Sequence, residues 1–163
     1  AMQDAEGRDE ELLAMLKAHE GERRNDAGHH VAYDDATGLP IKPGTHVAGH
    51  VTIGYGHNAG PGNGVPERIA QRMLEVDVEA VREGLDRQLP WWRDLPRKPR
   101  RALVDMGFNM GVPGLMQFKR MLSALHDRDY DTAAAEALDS RWATQVGQRA
   151  QTVAQLIRSG GDG

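Results

Sequence analysis

Cysteine is absent from the 163 residues, so disulfides and thiolate metal sites are excluded and the fold is indifferent to redox compartment. No apolar run approaches the roughly 18 to 20 residues that a membrane-spanning helix requires. The stretch from Ala1 to Glu11 is polar and acidic rather than signal-like, and the expectation is a chain that neither anchors nor exports itself. Ala1-Met2 reads as a remnant ahead of a natural start, which leaves a removed signal or a larger parent chain open. Internal repeats and low-complexity segments are also missing, so only the ends, Ala1 to Arg8 and Ser159 to Gly163, are expected to fray.

What remains is about one domain's worth of chain. It is long enough to bury a core without staples, as one compact unit or as two small lobes sharing a long helix. The net charge of -4 hides an asymmetry: residues 1 to 86 carry 8 Lys+Arg against 16 Asp+Glu, whereas residues 87 to 160 carry 12 against 7. A basic surface on the second half suits an anionic polymer, although a solvated charged face explains it as well.

Asp9-Glu10-Glu11 ahead of Leu12, Leu13 and Leu16 predicts a capped amphipathic helix ending near Gly21, with Glu20 at its C-terminal end. From His29 to His57 the glycines and the prolines Pro40 and Pro43 break the chain into short extended pieces, best read as a small antiparallel sheet. A turn-rich connector, Asn58 to Gly64, precedes Pro66-Glu67, which opens a long helical pattern through Ile69, Met73, Val76 and Leu85. Shorter helical patterns follow at about 98–110, 114–125, 129–138 and 147–158.

The early carboxylates stand out against this organisation. Glu20 closes a helix, Asp35 enters the turn of Tyr33-Asp34-Asp35-Ala36-Thr37-Gly38, and Thr52 lies on a short strand in Thr52-Ile53-Gly54-Tyr55-Gly56-His57. Three elements are thus positioned to converge on one cleft, an arrangement suited to glycoside hydrolysis. That chemistry needs one carboxylic acid to protonate the leaving oxygen and a second carboxylate on the sugar's other face. A helix-end glutamate against apolar surface holds its proton, whereas an aspartate in a polar turn stays ionised.

Glu20-Gly21, Tyr33-x-Asp35-x-x-Gly38 and Thr52-Ile53-Gly54-Tyr55-Gly56-His57 together resemble the phage-type lysozymes, the T4-like family. The likeness continues through Arg100-Arg101-Ala102, Asp105 to Gly111, Phe118, Ser140-Arg141-Trp142 and Gln148-Arg149-Ala150, in order and spacing, over roughly residues 10 to 160. The resemblance implies an α+β, mostly helical, two-lobed lysozyme-like fold with a small antiparallel sheet in its N-terminal lobe. Residues 1–163 would form a single domain, with a catalytic lobe over about 9–64, a connecting helix over about 66–89 and a helical lobe over about 90–160. It implies inverting cleavage of the bond between N-acetylmuramic acid and N-acetylglucosamine in peptidoglycan, without metal or organic cofactor.

The resemblance assigns Glu20 as general acid, Asp35 as general base or electrostatic stabiliser, and Thr52 as the hydroxyl that orients water. Asp34 is held in reserve, because a turn aspartate commonly bonds its own backbone. Thr52 alone is an ordinary β-branched strand residue. His57 is read as structural, paired with Asp77 on the long helix as the family's matching histidine is. Phe108, Asn109, Arg141 and Arg149 are assigned to the glycan, through an aromatic face, an amide and guanidinium groups; each also has an ordinary packing or capping role. Trp91-Trp92 is expected to pack the lobe. Seven histidines, with His29-His30 adjacent and His46 and His50 four apart, raise a zinc site, which the missing cysteines and the break at Gly49 argue against.

The chain departs from the compact members of the family in two loops. Fourteen residues separate Glu20 from Asp35 and sixteen separate Asp35 from Thr52; the extra residues, around Arg23 to His30 and Leu39 to His46, are expected to lengthen the sheet's hairpins. The partner expected is peptidoglycan, with no nucleic acid, no stable membrane insertion and a monomeric chain. Two settings fit: a free endolysin passing from host cytoplasm to periplasm through a holin, or a lysozyme domain of a tail or other virion protein. A lytic transglycosylase is disfavoured because both Asp35 and Thr52 are present, and the same retention argues against a silent wall-binding module.

Overall fold

The computed structural model describes residues 9–162; the expectations for Ala1 to Arg8 and for Gly163 lie outside the described residues. The chain falls into two compact units, Ala1–Ile69 and Ala70–Gly163. Among the described residues the architecture is α+β and mostly helical, with one small antiparallel sheet.

The first unit opens with helix α1, Glu10–Glu20. Asp9 caps it by accepting the Leu12 N–H at 2.9 Å, and Glu10 and Glu11 sit in the first turn, where carboxylates complement the helix dipole. It stops at Gly21, whose φ of 71° a residue with a Cβ adopts at a cost, so Glu20 stands at the last helical position. Strands β1 (Tyr33–Asp34), β2 (Val51–Ile53) and β3 (His57–Asn58) form the sheet in that order. Tyr33 pairs with Thr52, and Thr52 in turn with Asn58, which puts Thr52 on the central strand. Both loop insertions add antiparallel bridges, Arg24 to His30 and Tyr33 to Pro40. Both bridges are isolated ones, outside the three strands of the sheet.

The second unit holds most of α2 (Glu67–Gln88), a 3-10 turn at Trp92–Asp94, and helices α3 (Arg97–Met110), α4 (Val112–Leu115), α5 (Lys119–His126), α6 (Tyr130–Leu138), α7 (Arg141–Val146) and α8 (Gln148–Arg158). Their apolar stripes close over a core that includes Leu85, Trp92, Leu103, Met106, Leu125 and Ile157. Trp92 is packed there as expected, its indole N–H donating to Asp86 at 2.7 Å.

Three expectations are corrected. The helix anticipated over 114–125 is two helices, because the Gln117 and Phe118 N–H groups bond three residues back and Phe118 takes ψ 58°, which no helix accommodates. Apolar spacing runs on across this break although the backbone does not. Helix α7 was not anticipated; Ser140 starts it, accepting the Ala143 N–H at 3.1 Å. Ser159–Asp162 does not fray but forms a 3-10 turn whose Gly160 is buried, with the Tyr130 ring and Pro99 occupying the space a Cβ would need.

Candidate active site

The two adjacent aspartates have opposite surroundings. Asp34 is buried at the end of β1, and its carboxylate accepts three backbone N–H groups: Ala48 at 2.7 Å, and Ala36 and Gly49 at 3.0 Å each. The Ala48 N–H above all, then those of Ala36 and Gly49, with a contribution from His46, hold its carboxyl below the usual range against the opposing effect of burial. This carboxylate is occupied in closing the loop from Leu39 to His50 back onto the strand.

Asp35, one residue on, opens the turn that Gly38 closes by donating its N–H to the Asp34 carbonyl at 2.7 Å. Its side chain is 44% exposed. The His50 N–H donates to Oδ1 at 2.6 Å, and the His50 ring Nδ1 stands 3.2 Å from Oδ2. The His50 N–H is the main cause that lowers the Asp35 carboxyl below its ordinary range; desolvation and the Asp34 charge oppose it, and the His50 ring adds to it. The turn carboxylate is therefore held in its ionised form and open to solvent. Gly49 lies directly beneath it, where the Asp35 carboxylate leaves no room for a Cβ.

Thr52 is buried on the central strand, two residues from His50, and its hydroxyl donates to the His50 carbonyl at 3.3 Å. Glu20 is exposed, on a helix none of whose residues is buried, rather than set against apolar surface as expected; its carboxylate lies against the hairpin that follows. A Cβ on Gly56 would stand 2.7 Å from Glu20 Oε2, and Gly56 has φ 80°, so close approach and backbone conformation both require glycine there. Gly56 lies in the turn between β2 and β3. The end of α1, the turn after β1, and the β2–β3 hairpin thus bring Glu20, Asp35 and Thr52 into one small unit.

The first insertion is tied to this turn. Arg23 donates from Nε to the Gly38 carbonyl at 2.6 Å and lays its guanidinium over the Tyr33 ring, 5.2 Å from its centre. Asn25 Oδ1 accepts the N–H groups of Ala27 and His29, which shapes the hairpin tip. His57 on β3 places Nε2 2.7 Å from the Gly64 carbonyl; Asp77 lies on α2 in the second unit. Among the described residues no three His, Cys, Asp or Glu side chains gather as a metal-ligand set.

In the second unit the four residues assigned to glycan do not share one hollow. Phe108, 42% exposed, and Arg149 line a cavity of about 670 Å³ with Arg97, Arg100, Arg101 and Asp105. Arg149 donates to Asp105 at 2.8 Å. Arg141, the first residue of α7, lines a separate hollow of about 540 Å³ beside Trp142. Asn109 Oδ1 accepts the Trp142 indole N–H at 2.8 Å, a partner that a buried indole needs. His50 is the site residue the sequence reading missed as such: its four-residue spacing from His46 drew attention to metal binding, and only the register shows that it faces Asp35.

The phage lysozyme family profile matches residues 34–158, and this chain belongs to that family. It is 37% identical over 71 residues to the pre-baseplate central spike protein Gp5 of Enterobacteria phage T4, a match covering 44% of this chain and 12% of that protein. It is 31% identical over 145 residues to the peptidoglycan hydrolase gp36 of Pseudomonas phage phiKMV, covering 85% of this chain and 14% of that protein. Against the probable T4-type lysozyme 2 of Dictyostelium discoideum it is 24% identical over 152 residues, covering 92% and 88%. The chain thus spans only a small part of the two phage proteins and most of the amoebal one.

Proposed function

We propose that this chain is a peptidoglycan hydrolase, an inverting endo-acting muramidase that cleaves the β-1,4 bond between N-acetylmuramic acid and N-acetylglucosamine. The observation that carries the reading is the contrast between the two aspartates: Asp34 is buried and held by three backbone donors, while Asp35 is ionised, exposed and on the turn paired with the strand of Thr52. Glu20 gives its proton to the leaving glycosidic oxygen as the bond to the anomeric carbon breaks. A water held by Thr52 and Asp35 attacks the opposite face, its oxygen forming the new bond to that carbon and one of its protons passing to Asp35. Proton exchange with solvent returns both carboxyls to their starting states. No metal or organic cofactor is needed for these steps.

In this reading glycan and its peptide carboxylates meet the second unit at two hollows, one offering Phe108 and Arg149, the latter anchored by Asp105, and the other Arg141, with Asn109 contributing through its amide nitrogen. In the same reading the chain acts as a monomer.

The biological setting favoured is a lysozyme domain of a larger virion protein that penetrates the cell wall. The two phage relatives are far longer than this chain, and one is named as a baseplate spike protein; a free endolysin released through a holin is the alternative. Reducing ends released from purified peptidoglycan test the activity. Wild type is expected to generate them, and Glu20→Gln and Asp35→Asn each to lower the rate by at least about a hundredfold, the scale of one general acid or base. Anhydro ends in place of reducing ends would make the enzyme a lytic transglycosylase, and folded wild type that binds the wall without cutting it would leave a binding module.

A further inference from the structure

His50 touches the candidate base three times and the candidate water-orienting hydroxyl once. Its N–H donates to Asp35 Oδ1 at 2.6 Å, its ring Nδ1 lies 3.2 Å from Asp35 Oδ2, and its carbonyl accepts the Asp35 N–H at 3.1 Å. The same carbonyl accepts the Thr52 hydroxyl proton at 3.3 Å. We propose that His50 is a positioning residue of the reaction, fixing the plane of the Asp35 carboxylate with its ring and the proton direction of Thr52 with its carbonyl. The inference rests on the reading of Asp35 as the base.

Each oxygen of a carboxylate offers about two acceptor sites. His50 takes one on each oxygen of Asp35, so rotation about the bond to the carboxyl carbon is blocked while one site per oxygen stays free. Backbone contact alone would grip Oδ1 and leave Oδ2 to swing; the ring supplies the second point. Thr52 is constrained in a complementary way. A hydroxyl has one proton to give, and with that proton on the His50 carbonyl, Thr52 can only accept from a water. That water then points one proton at Thr52 and the other at Asp35, leaving a lone pair for the anomeric carbon. One residue thereby sets both acceptors that orient the nucleophile.

The groups facing Asp35 are His50 and the Asp34 carboxylate, and His46 acts on Asp34. Removing the His50 ring takes away a group that favours the ionised Asp35 and keeps the Asp34 charge that disfavours it. The acid limb of the activity profile therefore moves to higher pH. The His50 side chain is 64% exposed, so replacing it opens no cavity in a core.

The test compares kcat, KM and the pH profile of kcat/KM for wild type, His50→Ala, His50→Asn and Asp35→Asn on purified glycan strands, with far-UV circular dichroism to confirm folding. His50→Ala is expected to lower kcat by roughly tenfold or more, the worth of a hydrogen bond to a charged group, with KM little changed and the acid limb displaced upward. His50→Asn keeps an N–H donor near the Nδ1 position and is expected to recover most of kcat. If His50→Ala keeps the wild-type kcat and acid limb while Asp35→Asn is inactive, the role of His50 is overturned and the muramidase reading stands. A kcat loss that Asn does not recover, with the acid limb unmoved, overturns it equally. An active Asp35→Asn overturns the assignment of the base itself.

Discussion

The two units hold themselves together by different means. The second buries a contiguous apolar core of leucine, methionine, alanine, valine and tryptophan side chains from α2 through α8. In the first, the buried side chains among the described residues are Tyr33, Asp34 and Thr52, and its order comes from directed hydrogen bonds: three into Asp34, two into Asn25, two onto Asp35 and one from Arg23 to Gly38. Apolar burial is non-directional and indifferent to pH, whereas hydrogen bonds to a carboxylate fix atoms in place and depend on its charge. The candidate reactive groups therefore sit where their neighbours are held by direction rather than by area. Such a region is also the one expected to open first.

The contrast is tested most strongly by cutting a hole in the core. Leu103→Ala on α3 removes a fully buried side chain and is expected to cost about 2 to 5 kcal/mol. All three tryptophans, Trp91, Trp92 and Trp142, belong to the second unit, so their fluorescence during denaturation reads that unit alone. Segment-resolved hydrogen exchange over residues 31–58 is expected to keep its wild-type protection below the denaturation transition. An equal loss of protection there would mean that the sheet borrows its stability from the core, and the contrast would fail.

The converse experiment removes the charge from Asp34. Its folded carboxyl lies below the ordinary value, so its contribution is fully present above about pH 4, the unfolded value, and is lost as pH falls through the depressed folded one. Wild type is expected to lose protection in residues 31–58 over that acid window, ahead of the helical unit. Asp34→Asn presents an amide group to N–H donors that need an acceptor, so protection is expected to be low already at pH 7 and to show no further acid step from this group. Protection factors referred to the unfolded peptide, measured from pH 7 to pH 3, check both. A wild-type acid step that survives in Asp34→Asn would assign it to another carboxylate, with Asp35 the first to examine.

The same contrast explains what could be read from the chain and what could not. Asp9, Gly21 and Pro66 punctuate helices by local chemistry, so the ends of α1 and the start of α2 were visible, and with them the place of Glu20. Asp34 and Asp35 are chemically identical in sequence, and a two-residue strand has no alternation long enough to say which one faces inward; the register with Val51 and the return of Ala48 and Gly49 decide it. The sequence gives no sign of His50 as a neighbour of Asp35 for the same reason, since the two lie fifteen residues apart across a strand pair. In the helical unit, apolar spacing placed helices at about 98–110, 129–138 and 147–158, within a residue of those observed, but ran through the break at Phe118, where backbone conformation, not side-chain pattern, separates α4 from α5. The pairing of Asn109 with Trp142 joins α3 to α7 across tertiary structure, and no local signal announces it.

Helix α7 is the case where a local signal existed and was overlooked, and it offers the smallest test. Six residues are too few to show a helical period, but Ser140 carries the chemistry of a start: Oγ accepts the Ala143 N–H at 3.1 Å and donates its proton to the Ala137 carbonyl at 2.7 Å, closing α6 as it opens α7. Ser140→Ala loses both bonds and is expected to cost about 1 kcal/mol, read by tryptophan fluorescence during denaturation, with Trp142 two residues from the change. The acid step over residues 31–58 is expected to stay where it was, because nothing in the Asp34 and Asp35 network has been touched. A shift in that step with so slight a change in the helical unit would show that the two ways of holding structure are energetically coupled, and the polar unit would then have to be treated as part of the core's cooperative transition.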